Sequence, residues 1–221
     1  MKKSEILIGV DYSINSPAVC IYKNKNYSWA SHPSLTKTKK NQLIQKEVGE
    51  LPDVSYVLQN YNIPDVSYED KDIYKMQKYD MISSKLLQLL QFMIPPGDHY
   101  LIKLAFEGYS YGSRFTKTNN IIELATATTL FKKLVIKNII SNTDIFKIFS
   151  PKTIKMYAGN GNMKKRELFD IFINNTLKDP DLESSSFWKY CTGLTVGKKV
   201  PSPIDDMIDA YLITRVLRIL N

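Results

Sequence analysis

Cysteine and histidine are scarce in this 221-residue chain, at two each. Cys20 and Cys191 lie far apart, in no metal-ligand spacing, and read as free thiols in a reducing compartment. His32 and His99 sit beside loop signals (Pro33 and Pro95-Pro96-Gly97), with no partner that would build a triad or a zinc site. Long apolar runs are missing too. None approaches the ~18 residues of a membrane span. The first, Ile6 to Val10, is too short for a secretory signal core, so the expected setting is cytoplasmic or nucleoid-associated rather than secreted. A P-loop is excluded as well, because Gly159 and Gly161 precede Lys164-Lys165-Arg166 in the wrong spacing.

What remains is ordinary for a globular protein: 43% hydrophobic and 24% charged residues. The length suits one domain over 1–221, with irregular insertions expected at about 32–70 and 179–203. The net charge of +8 is compatible with a polyanionic partner. It becomes informative if acids gather at a site that must work on phosphate.

Apolar patterning predicts strands over 5–11, 17–23 and 27–31, a short helix near 41–48, and a helix over 70–94 capped by Asp70 or Asp72. A strand over 100–106, a helix over 121–140 and a strand over 144–149 follow. Ser150-Pro151 reads as N-cap and first-turn proline of a short helix. A helix from the Lys164 region to about Leu177 and another from Pro203 to Leu220 complete the chain. The result is an α/β fold: a mixed five-stranded sheet, an antiparallel meander plus parallel strands, flanked by helices.

The acids are placed unusually. Asp11 ends the first strand, at the mouth of a hairpin; on that stretch alone, turn cap and ligand are equal readings. Glu107 ends a second buried strand in the same way, and glutamate is disfavoured there. Asp206 and Asp209, or Asp205 and Asp209, share one helix face, where like charges repel unless a cation relieves them. Glu123 reads as a first-turn acid that favours the helix dipole, not as a ligand. Lys164, Lys165 and Arg166 open a helix against its dipole, which a bound phosphate would explain; a basic, solvated helix start is the alternative. Carboxylates on separate elements of a basic protein suit hard cations with oxygen ligands, Mg²⁺ or Mn²⁺.

The segments Gly9-Val10-Asp11-Tyr12-Ser13, Phe106-Glu107-Gly108 and Asp206-Met207-Ile208-Asp209-Ala210, in that order, resemble the RuvC-type Holliday-junction resolvases of the ribonuclease H-like superfamily. Lys155, Gly159, Gly161 and Lys165 are similar to the family's basic stretch. The Lys-, Asn- and Ile-rich composition looks like that of a phage- or virus-encoded relative. The resemblance implies a ribonuclease H-like fold and a metal-dependent endonuclease that resolves four-way DNA junctions by paired nicks. It implies two Mg²⁺, replaceable by Mn²⁺, on Asp11, Glu107, Asp206 and Asp209, with Lys165 offsetting charge on the scissile phosphate. Lys155, Lys164, Arg166 and Arg114 would hold the DNA backbone, and the loop 109–118, with Tyr109, Tyr111 and Phe115, would stack or wedge at the junction. A two-fold homodimer follows from the junction's symmetry. The choice between Asp205 and Asp206 is open. Alternatives are a related nuclease on other branched or RNA-containing substrates, and a non-catalytic nucleic-acid-binding module.

Overall fold

A computed structural model describes residues 4–61, 63–94, 100–108, 118–141 and 144–220. Strands β1 (Ser4–Asp11), β2 (Ala18–Lys23) and β3 (Asn26–Ser31) form the expected antiparallel meander. Asn24 and Lys25 turn β2 into β3 with φ of 51° and 65°, the double positive-φ geometry that matches the twist of a tight hairpin. Helix α1 (Lys39–Gly49) and strand β4 (Val54–Tyr56) follow. Then come α2 (Tyr68–Met93), β5 (Tyr100–Glu107), α3 (Thr118–Asn138) and β6 (Ile145–Phe149). The chain finishes with α4 (Pro151–Ala158), α5 (Lys165–Ile173), α6 (Ser186–Thr192) and α7 (Ile204–Ile219). No helix among the described residues is long and apolar enough to cross a membrane.

The sheet order is β4-β3-β2-β1-β5-β6, with β4, β5 and β6 each parallel to the neighbour they join. The mixed α/β architecture is as expected, but with six strands rather than five. The extra one, β4, has three residues, too few for an alternating pattern to register in sequence. Three local expectations are also corrected. Ser67, not Asp70 or Asp72, caps α2, accepting from Asp70 N at 3.2 Å. Helix α5 stops at Ile173 rather than Leu177, because Asn175 and Lys178 take positive φ. Glu123 lies beyond the first turn of α3 and accepts from Lys75 of α2 at 2.6 Å, joining the two helices.

The pleat decides what each face does. Ile6, Ile8 and Val10 of β1 point with Ile102, Leu104 and Phe106 of β5 into the core beneath α2 and α3. Leu7 and Ala105 point the other way, into the core roofed by α7 with α5 and α6. Residues two apart share a face. Asp11 therefore continues the Leu7–Gly9 face, and Glu107 the Ala105 face. The parallel register pairs Gly9 with Ala105 and Val10 with Phe106, so the next residues on each strand, Asp11 and Glu107, emerge side by side.

Helix α7 crosses β1 at Gly9. A Cβ there would lie under 3 Å from Ala210 O, Thr214 Oγ1 and Thr214 N. Thr214 Oγ1 donates to Cys20 O at 3.0 Å and Trp29 Nε1 to Met207 O at 3.2 Å, so the helix is tied to β2 and β3 as well. One helical turn before this crossing stand Asp206 and Asp209, brought to the end of β1 where Asp11 is. Gly9→Ala is expected to lower unfolding free energy by about 1–3 kcal/mol, since the added methyl meets backbone that cannot yield. A urea titration with unchanged slope and a lower midpoint would show it.

Candidate active site

Asp11, Glu107, Asp206 and Asp209 line one cavity of about 490 Å³, together with Lys155 and Lys165. Five elements deliver the acids and cations. The strand ends supply Asp11 and Glu107, the first two turns of α7 supply the aspartates, and α4 and α5 supply the lysines. All sit within regular elements rather than on loops, which fixes their geometry; Asp11 and Glu107 are the last residues of β1 and β5, and Lys165 is the first of α5.

Electrostatics set this cluster apart. Asp11 is buried, and burial first, then Glu107, Asp206 and Asp209, push its pKa well above the usual carboxylate range, with Lys165 opposing. Burial and then Asp209 raise Glu107 to about 7, while a hydrogen bond with Asp11, Lys165 and Lys155 hold it down. Burial and Asp205 raise Asp206 to about 7, against Lys165 and Ser16. Asp209 is raised by burial and held down chiefly by Lys165. Such mutually raised acids in a cleft are what a functional site tends to contain and a folded core tends to avoid.

Lys165 supplies the counter-charge. Its Nζ lies 2.8 Å from Asp205 Oδ2, 3.3 Å from Asp206 Oδ1 and 3.3 Å from Asp209 Oδ2. Burial pulls its pKa down, but Asp206, Asp209, Asp205 and Asp11 push it up further, so it stays an ammonium. This accounts for a cation at the start of α5 without a bound phosphate. The helix start is also served by Glu167, whose Oε2 accepts from Lys164 N at 2.6 Å. Asp206 lines the cavity with Asp11, whereas Asp205 lines only a neighbouring one and leaves its Oδ1 buried without a partner. Of the doublet, Asp206 therefore faces Asp11.

The expected nucleic-acid contacts divide. Lys155 faces the acid cavity and Lys164 is exposed at the N-cap of α5. Arg166 is committed elsewhere: Nε donates to Asp170 at 3.1 Å and Nη1 to the carbonyls of Val196 and Gly197, which makes it an anchor for that loop. Tyr109, Tyr111, Arg114 and Phe115 lie outside the described residues. Reasoning from sequence missed the lysine–aspartate cluster, whose signal was the Asp205-Asp206 doublet beside a basic helix start.

The donor set fits a hard divalent cation. It is all oxygen, carries four negative charges once every carboxyl is ionised, and has no sulfur or imidazole that would favour zinc. Among the described residues, no three acids are gathered tightly enough to hold one ion as they stand, and the Lys165 ammonium spans the aspartates instead.

No family model and no curated protein matches the sequence. Solved structures do. Thermus thermophilus RuvC in complex with a Holliday junction substrate aligns at a TM-score of 0.50 and 10% identity, over 98% of this chain and 95% of that one. The chain shares the RuvC fold. Thermus thermophilus RuvC alone gives 0.48 at 13% identity, over 97% and 95% of the two chains. The yeast mitochondrial Holliday junction resolvase Ydc2 gives 0.48 at 16% identity, over 96% of this chain and 76% of that one. On this RuvC-like scaffold, the acid cavity opens at the ends of the two central parallel strands, β1 and β5.

Proposed function

We propose that the protein is a divalent-cation-dependent DNA endonuclease that resolves four-way junctions by paired nicks. The observation that carries this is the convergence of Asp11, Glu107, Asp206 and Asp209, from residues up to 198 positions apart, on one cavity that also holds Lys165 and Lys155. The RuvC fold and the net charge of +8 support DNA as the substrate.

Asp11, Glu107, Asp206 and Asp209 would hold two Mg²⁺. When bound, such ions make water acidic enough to attack at neutral pH and offset charge on both oxygens of an in-line displacement. The chain's own groups do the rest. The four carboxylates must be ionised for this, so the protons held by Glu107 and Asp206 leave to solvent. Lys165, on the wall of the same cavity, would offset the charge growing on the scissile phosphate. Lys155, on the same cavity wall, holds a phosphate oxygen and positions the strand without reading its sequence. The water oxygen would bond to phosphorus, giving up a proton to solvent, as the bond to the 3′ oxygen breaks and that oxygen takes a proton from solvent, leaving a 5′ phosphate and a 3′ hydroxyl. A symmetric junction needs two such cuts, so the active species is a two-fold homodimer. Exposed apolar side chains at the starts of α2 and α3 (Ile73, Met76 and Ile122) are a candidate interface for it.

Incubation with a four-way junction, a flap and an RNA–DNA hybrid in Mg²⁺ tests the reading. Paired symmetric nicks in the junction alone are expected. A protein that binds the junction and never cuts it, in Mg²⁺ or Mn²⁺, would refute the enzyme.

The raised carboxylates also predict proton-linked cation binding. Apparent Mg²⁺ affinity should rise with pH through about 7, where Glu107 and Asp206 lose their protons. Calorimetry in buffers of different ionisation enthalpy should detect proton release on binding near neutral pH and little at pH 9.

A further inference from the structure

A second cavity, of about 440 Å³, shares Ser13 and Asp206 with the first. Its walls come from the β1–β2 turn, the start of α1 and the segment 195–202. Apart from Asp205 and Asp206, its polar lining is made of donors: Lys40, Lys199, Asn41, Thr36 and Ser202 among them.

Three features make it a built anion site. Helix α1 has no acid in its first turn, and its opening N–H groups have no partner within the helix beyond the Thr38 cap on Asn41. Lys40 and Lys199 bring two ammonium groups from segments far apart in sequence. Ser16, only 3% exposed, lies on the cavity wall with an Oγ that makes no hydrogen bond. It also lies beside Asp206, close enough to help draw that carboxylate's pKa down. Asp205 is the wall an anion avoids, so an anion seats on the opposite side, toward Lys40 and Lys199.

We infer that this cavity takes a phosphodiester of the cut strand that neighbours the scissile one. Lys40, Lys199 and the Ser16 hydroxyl clamp it. The inference rests on reading the first cavity as a nuclease centre. Because the two cavities share a wall, one strand fills both, and the clamp fixes its register so that the scissile bond lies in line.

The test couples protein to substrate. Junctions are made with one methylphosphonate, which has no charge, at each phosphate flanking the cut in turn. Binding is measured in the Asp11→Asn background, with and without Lys40→Ala/Lys199→Ala; both lysines are exposed, so folding is undisturbed. With the lysines present, one methylphosphonate position should weaken binding about tenfold, as lost charge-assisted hydrogen bonds do. With the lysines removed, that same position should cost less than about twofold, and the salt dependence of binding should shallow by about one phosphate's worth. Losses that multiply independently at every position overturn the clamp. A wild type that neither binds nor cuts the unmodified junction overturns the nuclease reading and the clamp with it. Cutting without coupling overturns the clamp alone.

Discussion

Asp206→Asn should abolish Mg²⁺-dependent junction cleavage and, at the same time, make the metal-free protein more stable. The two effects have one cause. Burial and Asp205 hold the Asp206 pKa up at about 7, so its ionised form is strained in the folded state. A carboxylate with a raised folded pKa costs stability above its unfolded value, and the cost is complete once pH exceeds about 7. An amide of the same shape removes that cost. The gain should be about 1–3 kcal/mol at pH 8, less than a shift of about three units would return. Part of it is lost because the Lys165 Nζ, 3.3 Å away, gives up an anionic partner. At about 2–4 °C per kcal/mol for a chain of this size, the Tm rises by several degrees. As pH falls from 7 to 4 the wild-type carboxyl gains its proton, and the difference in Tm should shrink toward zero. Cleavage should fall by roughly 10³-fold or more, the scale on which a preorganised electrostatic group acts. Mg²⁺ should stabilise the wild type by about 2.7 kcal/mol at a hundred times its Kd, and the variant far less. A variant that melts lower than wild type in EDTA at pH 8 would show that Asp206 holds the fold together rather than strains it.

Asp179→Ala should do the reverse: lower stability steeply with no group of the acid cavity touched. Asp179 is fully buried. Its Oδ2 accepts from Tyr27 OH at 2.6 Å, Tyr211 OH at 3.2 Å and Arg215 Nη1 at 3.0 Å, and its Oδ1 accepts from Arg218 Nη1 at 3.1 Å. Beside it, Asp181 accepts from Arg218 at 2.6 Å and from Tyr22 at 2.7 Å. One carboxylate thus joins β3, α7 and the segment after α5. Removing it leaves Arg215 with only the Leu177 carbonyl, Arg218 with only Asp181 and the Tyr27 oxygen, and two tyrosine hydroxyls without their carboxylate acceptor. Breaking a buried pair in this way costs about 3–5 kcal/mol, a large share of the 5–15 kcal/mol that holds a typical domain. Asp181→Ala should cost less, since its site is partly exposed and Arg218 keeps Asp179. Urea titration of both variants checks the order. Equal, small losses would mean that the arginines find water or other acceptors.

These two aspartates show what sequence reveals and what it hides. Asp206 was legible because its partners follow short rules: strand, then acid; acid, two residues, acid. Helices α2, α3 and α7 were legible through their apolar spacing, and α4 through Ser150-Pro151. Asp179 was hidden. It stands in a Pro- and Ser-rich stretch that reads as loop, and its partners lie on β3 and α7, 152 and up to 39 residues away. No local pattern encodes that meeting. The same holds for α6, whose seven residues start at Ser185 through a cap accepting from Trp188 N at 3.1 Å. Asp53, from the far side of the chain, accepts from Ser185, Ser186 and Phe187 N there. Lys165 reads in the sequence as a cation facing phosphate, and its grip on three aspartates needed the docking of α5 against α7 to become visible.

The crossing of α7 over Gly9 has a consequence for the order in which the protein is made. Every strand leaves the ribosome before α7 does. Until α7 follows, the β1 face that carries Asp11 lacks its cover, and Asp11 and Glu107 have neither aspartate beside them. A nascent chain can therefore build its whole sheet while its acid cluster is still incomplete. The site comes into being only when its latest-made helix finds the notch that a missing side chain left for it.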